Sequence, residues 1–224
     1  MSKRYMANAC TASNIMCGTL SLVLTVHAQY MWAATAILAA LVFDAMDGRV
    51  ARHFGVANDF GRELDSLCDV VSFGVAPGLL LYSWQLHAAP WGLGVLAALM
   101  YAVCGAMRLA RFNLSTDVIH GFFMGLPIPT AGCLAATYVL SGVRLPELLV
   151  APVAMLIAWM MVSGVHYPNF KEKSPDPIQM KAVAATLIIG ACLLWWDGDR
   201  WPFVPFLKYF IFGILNTCWN RLAR

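Results

Sequence analysis

Residues 44–69 read DAMDGRVARHFGVANDFGRELDSLCD and lie between two apolar segments, 31–43 and 70–84. Four of the five aspartates of this stretch form two pairs: Asp44 with Asp47, and Asp65 with Asp69. The members of each pair are three or four residues apart, so on a helix each pair lies on one face. Two antiparallel helices joined by the segment between the pairs would bring all four carboxylates together. Because carboxylates at a membrane are energetically costly and usually mark function, the stretch predicts a cage of oxygen ligands.

The composition is that of an integral membrane protein. Hydrophobic residues make up 60% of the 224 residues and charged residues 12%, and the mean hydropathy is +0.68. A bilayer core requires about 20 apolar residues per helix. We therefore predict an all-α fold, a single domain spanning residues 1–224 as one bundle of about eight transmembrane helices. The predicted segments are 12–28, 31–51, 64–84, 90–108, 124–143, 147–165, 180–196 and 203–219.

The basic residues predict the orientation of this bundle. In the eight-helix arrangement, all but three of the fifteen lysines and arginines fall on one side, the exceptions being Arg144, Arg200 and Lys208. Positive residues concentrate on the cytoplasmic side of membrane proteins. Both termini and the aspartate-rich stretch are thus predicted at the cytoplasmic face of the cell (inner) membrane. The net charge of +3 follows from this topology and from attraction to anionic headgroups, and it does not indicate nucleic acid as a partner.

The first apolar segment has an alternative interpretation. Lys3 and Arg4 followed by an apolar run and Val26-His27-Ala28 also fit a cleavable signal peptide. The run contains Asn8, Thr11 and Asn14, which are unfavourable in the apolar core of a signal peptide. We therefore favour a retained first helix.

The aspartate-rich stretch matches a longer pattern, D-x2-D-G-x2-A-R-x8-G-x3-D-x3-D. Its eight fixed positions are Asp44, Asp47, Gly48, Ala51, Arg52, Gly61, Asp65 and Asp69. The pattern resembles the signature of the CDP-alcohol phosphatidyltransferase family at every position. The resemblance implies a membrane enzyme that acts on CDP-linked lipid, and a homodimer.

The family resemblance also implies a role for each motif residue. The four aspartates would hold two divalent cations, Mg²⁺ or Mn²⁺, which is consistent with the preference of these ions for oxygen ligands. Asp69 would in addition be the general base. The CDP-lipid site would involve Gly48, Arg52 and Gly61, together with Asn8 and Thr11 of the first helix.

Several further stretches resemble the serine branch of this family. They are NACTASNIMCG beginning at Asn8, DSLCDVVSFGVAPG beginning at Asp65, RLARFN beginning at Arg108, the run GLPIPT at 125–130 and VSGVHYPNFK at 162–171. The resemblance implies CDP-diacylglycerol and L-serine as substrates. Arg108, Arg111 and Asn14 are the candidates for binding the acceptor, because a guanidinium matches a carboxylate or phosphate geometrically.

Other interpretations remain open from the sequence. The two arginines are also explained as positive-inside anchors at a helix end, and Gly74 and Pro77 as a plain helix kink. The acceptor could be glycerol 3-phosphate or an inositol phosphate, which suit an arginine equally well. An ion-coupled transporter also uses intramembrane carboxylates, but it would more naturally carry them near the bilayer midplane and show an inverted repeat, which we do not find.

Overall fold

The computed structural model describes residues 3–54, 59–115, 122–164 and 166–168. Seven α-helices, one π-helical segment and two short strands make up most of this part of the chain. Their bounds are α1 Lys3–Val26, α2 Tyr30–Phe54, α3 Asp59–Asp69, the π segment Val70–Val75, α4 Ala76–Trp84, α5 Leu93–Ser115, β1 Phe122–Met124, α6 Ile128–Leu140, α7 Glu147–Val162 and β2 His166–Pro168. Two 3₁₀ turns, Leu86–Ala88 and Pro90–Gly92, connect α4 to α5.

Four helical stretches in the described residues are long and apolar enough to cross a membrane. They are Asn8–Val26, Tyr30–Val50, Asp59–Trp84 and Pro90–Leu114, and they match the first four predicted segments. The shorter apolar helices α6 and α7 match the fifth and sixth. The last two predicted segments, 180–196 and 203–219, lie outside the described residues, so the count of eight helices and the orientation of the termini stay predictions.

The distribution of side chains is that of a protein surrounded by lipid. Large apolar side chains are exposed along the outer faces of the helices, as with Met16, Trp32, Leu99 and Trp159. Small residues line the contacts of two helices in the interior: Ala33, Ala34 and Ala40 of α2 and an alanine-rich face of α6 are buried, next to larger side chains such as Phe73. Small residues let helix backbones approach closely, which is how helices associate in a bilayer.

The helix that carries Asp65 and Asp69 continues beyond Asp69 as a π-helix. Just after this segment, the N–H of Ala76 donates to the carbonyl of Val71, five residues earlier, as the π-helical pattern requires. Pro77, at the start of α4, lacks an N–H and would interrupt a regular α-helix. The sequence indicated a kink at Gly74 and Pro77, and the structure has a π-helical widening here. Such widenings are frequent at functional sites.

A short β-ribbon departs from the predicted all-α fold. β1 and β2 pair antiparallel, with Phe123 opposite Tyr167. The predicted segment 124–143 accordingly becomes helical only at Ile128. The physical reason lies in the GLPIP run: Gly125 has φ +80°, which ends the strand, and Pro127 has a non-helical ψ of 135°. Pro129 then falls in the first turn of α6, where a proline is tolerated.

Candidate metal centre and acceptor site

Three of the four predicted carboxylates meet in the folded chain. Asp44 and Asp47 project from α2 and Asp65 projects from α3, and one carboxylate oxygen of each lies within 4.8 Å of the other two. Asp47 is buried and the other two are half-buried. Three carboxylates this close repel one another strongly where the local dielectric constant is low. This donor set therefore fits a hard divalent cation, which prefers oxygen ligands.

Asp69 lies one helical turn beyond Asp65 and is outside that set of three. Its side chain is buried, with 6% of the residue exposed. The side-chain amide of Asn14 donates to Oδ1 of Asp69 over 3.0 Å. An amide donor is the kind of partner that stabilises a buried carboxylate. Asp69 is therefore held from α1, whereas the other three aspartates face one another between α2 and α3.

Helix α1 is positioned by a second bond to the π segment. The hydroxyl of Ser72 donates to the backbone carbonyl of Asn14 over 3.1 Å. Asn14 and Ser72 are fully buried, so α1 forms part of the interior next to Asp69. These contacts favour the interpretation of the first apolar segment as part of the folded protein.

Helix α5 packs along the aspartate helix in antiparallel register. Near one end of the contact, a Cβ on Gly105 would lie 3.8 Å from the Cα of Gly74. Near the other end, the Asn113 amide donates to the Ser66 hydroxyl over 3.0 Å. Arg108 lies between these contacts, one turn from Gly105. It is therefore at the depth of the turn that follows Asp69.

The two candidate arginines of α5 differ in their surroundings. Arg108 is buried, with 6% of the residue exposed, and its guanidinium lies 5.5 Å from the centre of the Phe112 ring. Arg111 is half-buried and donates to two carbonyls at the end of α7, over 3.0 Å to Val162 and 3.3 Å to Ser163. A cation at a helix C-terminus is stabilising. Arg111 thus links α5 to α7, as the anchor interpretation expects, while Arg108 is buried against Phe112.

The remaining predicted site residues lie around this centre. Gly48 follows Asp47 on α2, and Gly61 is one turn before Asp65 on α3. Asn8 and Thr11 precede Asn14 on α1; Thr11 is buried and Asn8 half-buried. Arg52 belongs to the last turn of α2, but its side chain lies outside the described part of the structure. The predicted CDP-lipid residues therefore come from the ends of three helices that meet at the aspartates.

Two contacts at the site did not follow from the sequence motifs. The sequence indicates Asn14 as a candidate for binding the acceptor, and in the structure its side-chain amide also donates to Asp69. Asn113, which the motif RLARFN contains, bonds to both Ser66 and Glu63 of α3. The available signal was a polar side chain on an otherwise apolar helix, because such a side chain is costly in a membrane unless it has a partner.

Comparison with known proteins yields one family and a set of relatives. Residues 4–165 match the model of the CDP-alcohol phosphatidyltransferase family. The chain is 36% identical over 176 residues to the CDP-diacylglycerol–serine O-phosphatidyltransferase of Bacillus subtilis (strain 168), covering 78% of this chain and 96% of that one. It is 38% identical over 173 residues to the enzyme of the same name from Helicobacter pylori (strain 26695), with 74% and 72% covered. The identically named protein of Methanocaldococcus jannaschii is 34% identical over 208 residues, with 92% and 90% covered.

Proposed function

The chain belongs to the CDP-alcohol phosphatidyltransferase family, and we propose that it transfers the phosphatidyl group from CDP-diacylglycerol to the hydroxyl of L-serine and releases CMP. The observation that carries this proposal is the meeting of the Asp44, Asp47 and Asp65 carboxylates beside a buried Asp69. The names of the relatives support serine as the acceptor. They also identify a transferase, so nothing favours the transporter alternative.

The first requirement of the reaction is a site for the pyrophosphate of the CDP-lipid. Asp44, Asp47 and Asp65 would hold divalent cations, and with Asp69 the set would accommodate two. Bound Mg²⁺ or Mn²⁺ would neutralise the pyrophosphate and stabilise the charge that develops on the leaving CMP. Gly48 and Gly61 would allow the nucleotide to approach the backbone, and Arg52 would neutralise phosphate. Asn8 and Thr11 would border the same site.

The second requirement is a base for the acceptor hydroxyl. Asp69 would take the proton from the serine hydroxyl as that oxygen attacks the lipid-side phosphorus. The new O–P bond forms while the bond from this phosphorus to the bridging oxygen breaks, and CMP leaves with the electron pair. The burial of Asp69 and its hydrogen bond to Asn14 support this role, because a base must be held in position to act on a bound hydroxyl.

The third requirement is recognition of the serine carboxylate. Arg108 suits this role because it is a buried cation at the depth of the turn that follows Asp69, and its planar guanidinium matches a carboxylate geometrically. Arg111 donates to carbonyls at the end of α7. We therefore assign it two roles, which are to fix α5 against α7 and to contribute to binding of the acceptor. The cytoplasmic position of the site in the cell (inner) membrane and the homodimer stay predictions.

A direct assay tests the proposed function. Purified protein in detergent is mixed with CDP-diacylglycerol, Mn²⁺ or Mg²⁺, and one alcohol at a time, and CMP release is measured. We expect CMP with L-serine and none above background with glycerol 3-phosphate or inositol phosphate. CMP release with glycerol 3-phosphate but not with serine would show that the acceptor assignment is wrong. Full activity in excess chelator would show that the metal assignment is wrong.

A further inference from the structure

Asn14 has an unsatisfied end next to the proposed base. Asn14 is fully buried, and its side-chain Nδ2 donates to Asp69. The other end of the same amide, Oδ1, accepts no hydrogen bond from any described residue. A buried carbonyl oxygen without a donor is unfavourable.

We propose that Oδ1 of Asn14 binds the ammonium group of the acceptor and so selects an amino alcohol. This inference rests on the proposed function, and it names the residue that would recognise one part of the substrate. Serine carries its O–H and N–H donors on adjacent carbons. The protein offers two hydrogen-bond-accepting groups side by side, the Asp69 carboxylate and Asn14 Oδ1. The hydrogen bond from Asn14 Nδ2 to Asp69 keeps them together. The hydroxyl would then meet Asp69 while the ammonium meets Asn14.

The backbone of α1 supports this arrangement. The Ser72 hydroxyl donates to the backbone carbonyl of Asn14, and the side-chain amide of Asn14 donates to Asp69. Asn14 is therefore fixed through both its backbone and its side chain. A ligand-binding amide requires such a fixed position, because a loosely held side chain loses affinity when it must be ordered. A purely positioning role for Asn14 would leave Oδ1 unused, whereas the proposal gives both ends of the amide a function.

The test compares two acceptors that differ only in the amino group, L-serine and 3-hydroxypropionate. The measured quantity is the ratio of their kcat/KM values for CMP release. Loss of the Asn14–Asp69 hydrogen bond slows the reactions of both substrates equally, so the ratio does not change. Loss of the contact with the ammonium group slows the reaction of serine alone and lowers the ratio. Asn14→Leu removes both ends of the amide and keeps the approximate volume. Asn14→Asp keeps an acceptor oxygen but loses the donor to Asp69.

We expect Asn14→Leu to lower the serine preference by about tenfold or more, the scale of a hydrogen bond to a charged group. Asn14→Asp should slow the reactions of both substrates and retain the preference for serine over 3-hydroxypropionate. Ser13→Ala is the control, because the Ser13 hydroxyl bonds within α1 itself, to the carbonyl of Ala9. An unchanged ratio in Asn14→Leu would overturn the proposal and leave Asn14 as a positioning residue.

Two further measurements keep the test decisive. 3-Hydroxypropionate could react too slowly to measure, or Asn14→Leu could be inactive. In either case the ratio is taken from the inhibition or binding constants of L-alanine and propionate, which lack the hydroxyl and differ in the same amino group. If Asn14→Leu does not fold, a loss of preference in Asn14→Asp overturns the proposal, and retention supports it. Failure of the wild type to use serine would instead contradict the proposed function, which is a separate result.

Discussion

Gly18 of α1 packs directly on Ser72 of the π segment. A Cβ added to Gly18 would lie 2.3 Å from the Ser72 hydroxyl oxygen and 2.7 Å from its Cα. On the opposite side of the segment, a Cβ on Gly132 of α6 would lie 2.9 Å from the Cα of Phe73. The segment that follows Asp69 is therefore held between two glycines on neighbouring helices.

Gly18→Ala should destabilise the protein. The added methyl meets backbone atoms that do not move easily, and overpacking of this kind costs about 1–3 kcal/mol. Thermal unfolding in detergent should show a lower midpoint for Gly18→Ala than for the wild type. Gly164→Ala is the matched control, since a Cβ there meets nothing within 4 Å. Equal midpoints for the two variants would contradict the close packing of α1 on the π segment.

Neutral replacement of the clustered aspartates should abolish turnover. Asp44→Asn, Asp47→Asn and Asp65→Asn each remove a negative oxygen ligand, which weakens the hold on a hard cation. We expect loss of CMP release with the folded, membrane-inserted state retained. Asp59→Asn is the control on the same helix, because its side chain is 96% exposed and pairs only weakly with Arg62 at 3.6 Å. Near-normal activity of a cluster variant at saturating Mn²⁺ would remove that residue from the metal site.

Replacement of Asp69 should separate catalysis from substrate binding. If Asp69 acts as the base, Asp69→Asn should lower kcat by about 10²–10⁴, the usual contribution of general-base catalysis. Binding of CDP-diacylglycerol, measured by titration in the presence of Mn²⁺, should survive. An equal loss of lipid-nucleotide binding would indicate that Asp69 acts mainly as a metal ligand.

Substitution by lysine should have different effects at the two arginines of α5. Arg108→Lys keeps the charge and loses the planar fork, so we expect the KM for serine to rise more than the KM for CDP-diacylglycerol. Arg111→Lys loses one or both bonds to the α7 carbonyls, so we expect a lower unfolding midpoint as well as a change in serine KM. An increase confined to the CDP-diacylglycerol KM in Arg108→Lys would place that arginine on the nucleotide side.

The aspartate motif and the membrane character of the chain could be predicted from the amino-acid sequence. Asp44, Asp47 and Asp65 could be placed together because the spacing within each helix and the short sequence separation between the two helices are local features. The first four hydrophobic segments were readable for a similar reason, since a bilayer imposes a minimum length on each helix that crosses it. Family resemblance supplied the chemistry of the CDP-lipid.

Tertiary structure alone decided which distant side chains complete the site. The pairing of Asn14 with Asp69 joins residues 55 positions apart, and the burial of Arg108 depends on how α5 aligns with the aspartate helix. Apolar helix surfaces allow many registers, because lipid contacts are as favourable as contacts between apolar side chains. The register is decided by close approaches at glycines and by a few buried hydrogen bonds, which act only once the helices have met. The β-ribbon likewise depends on the pairing of segments that are far apart in the chain.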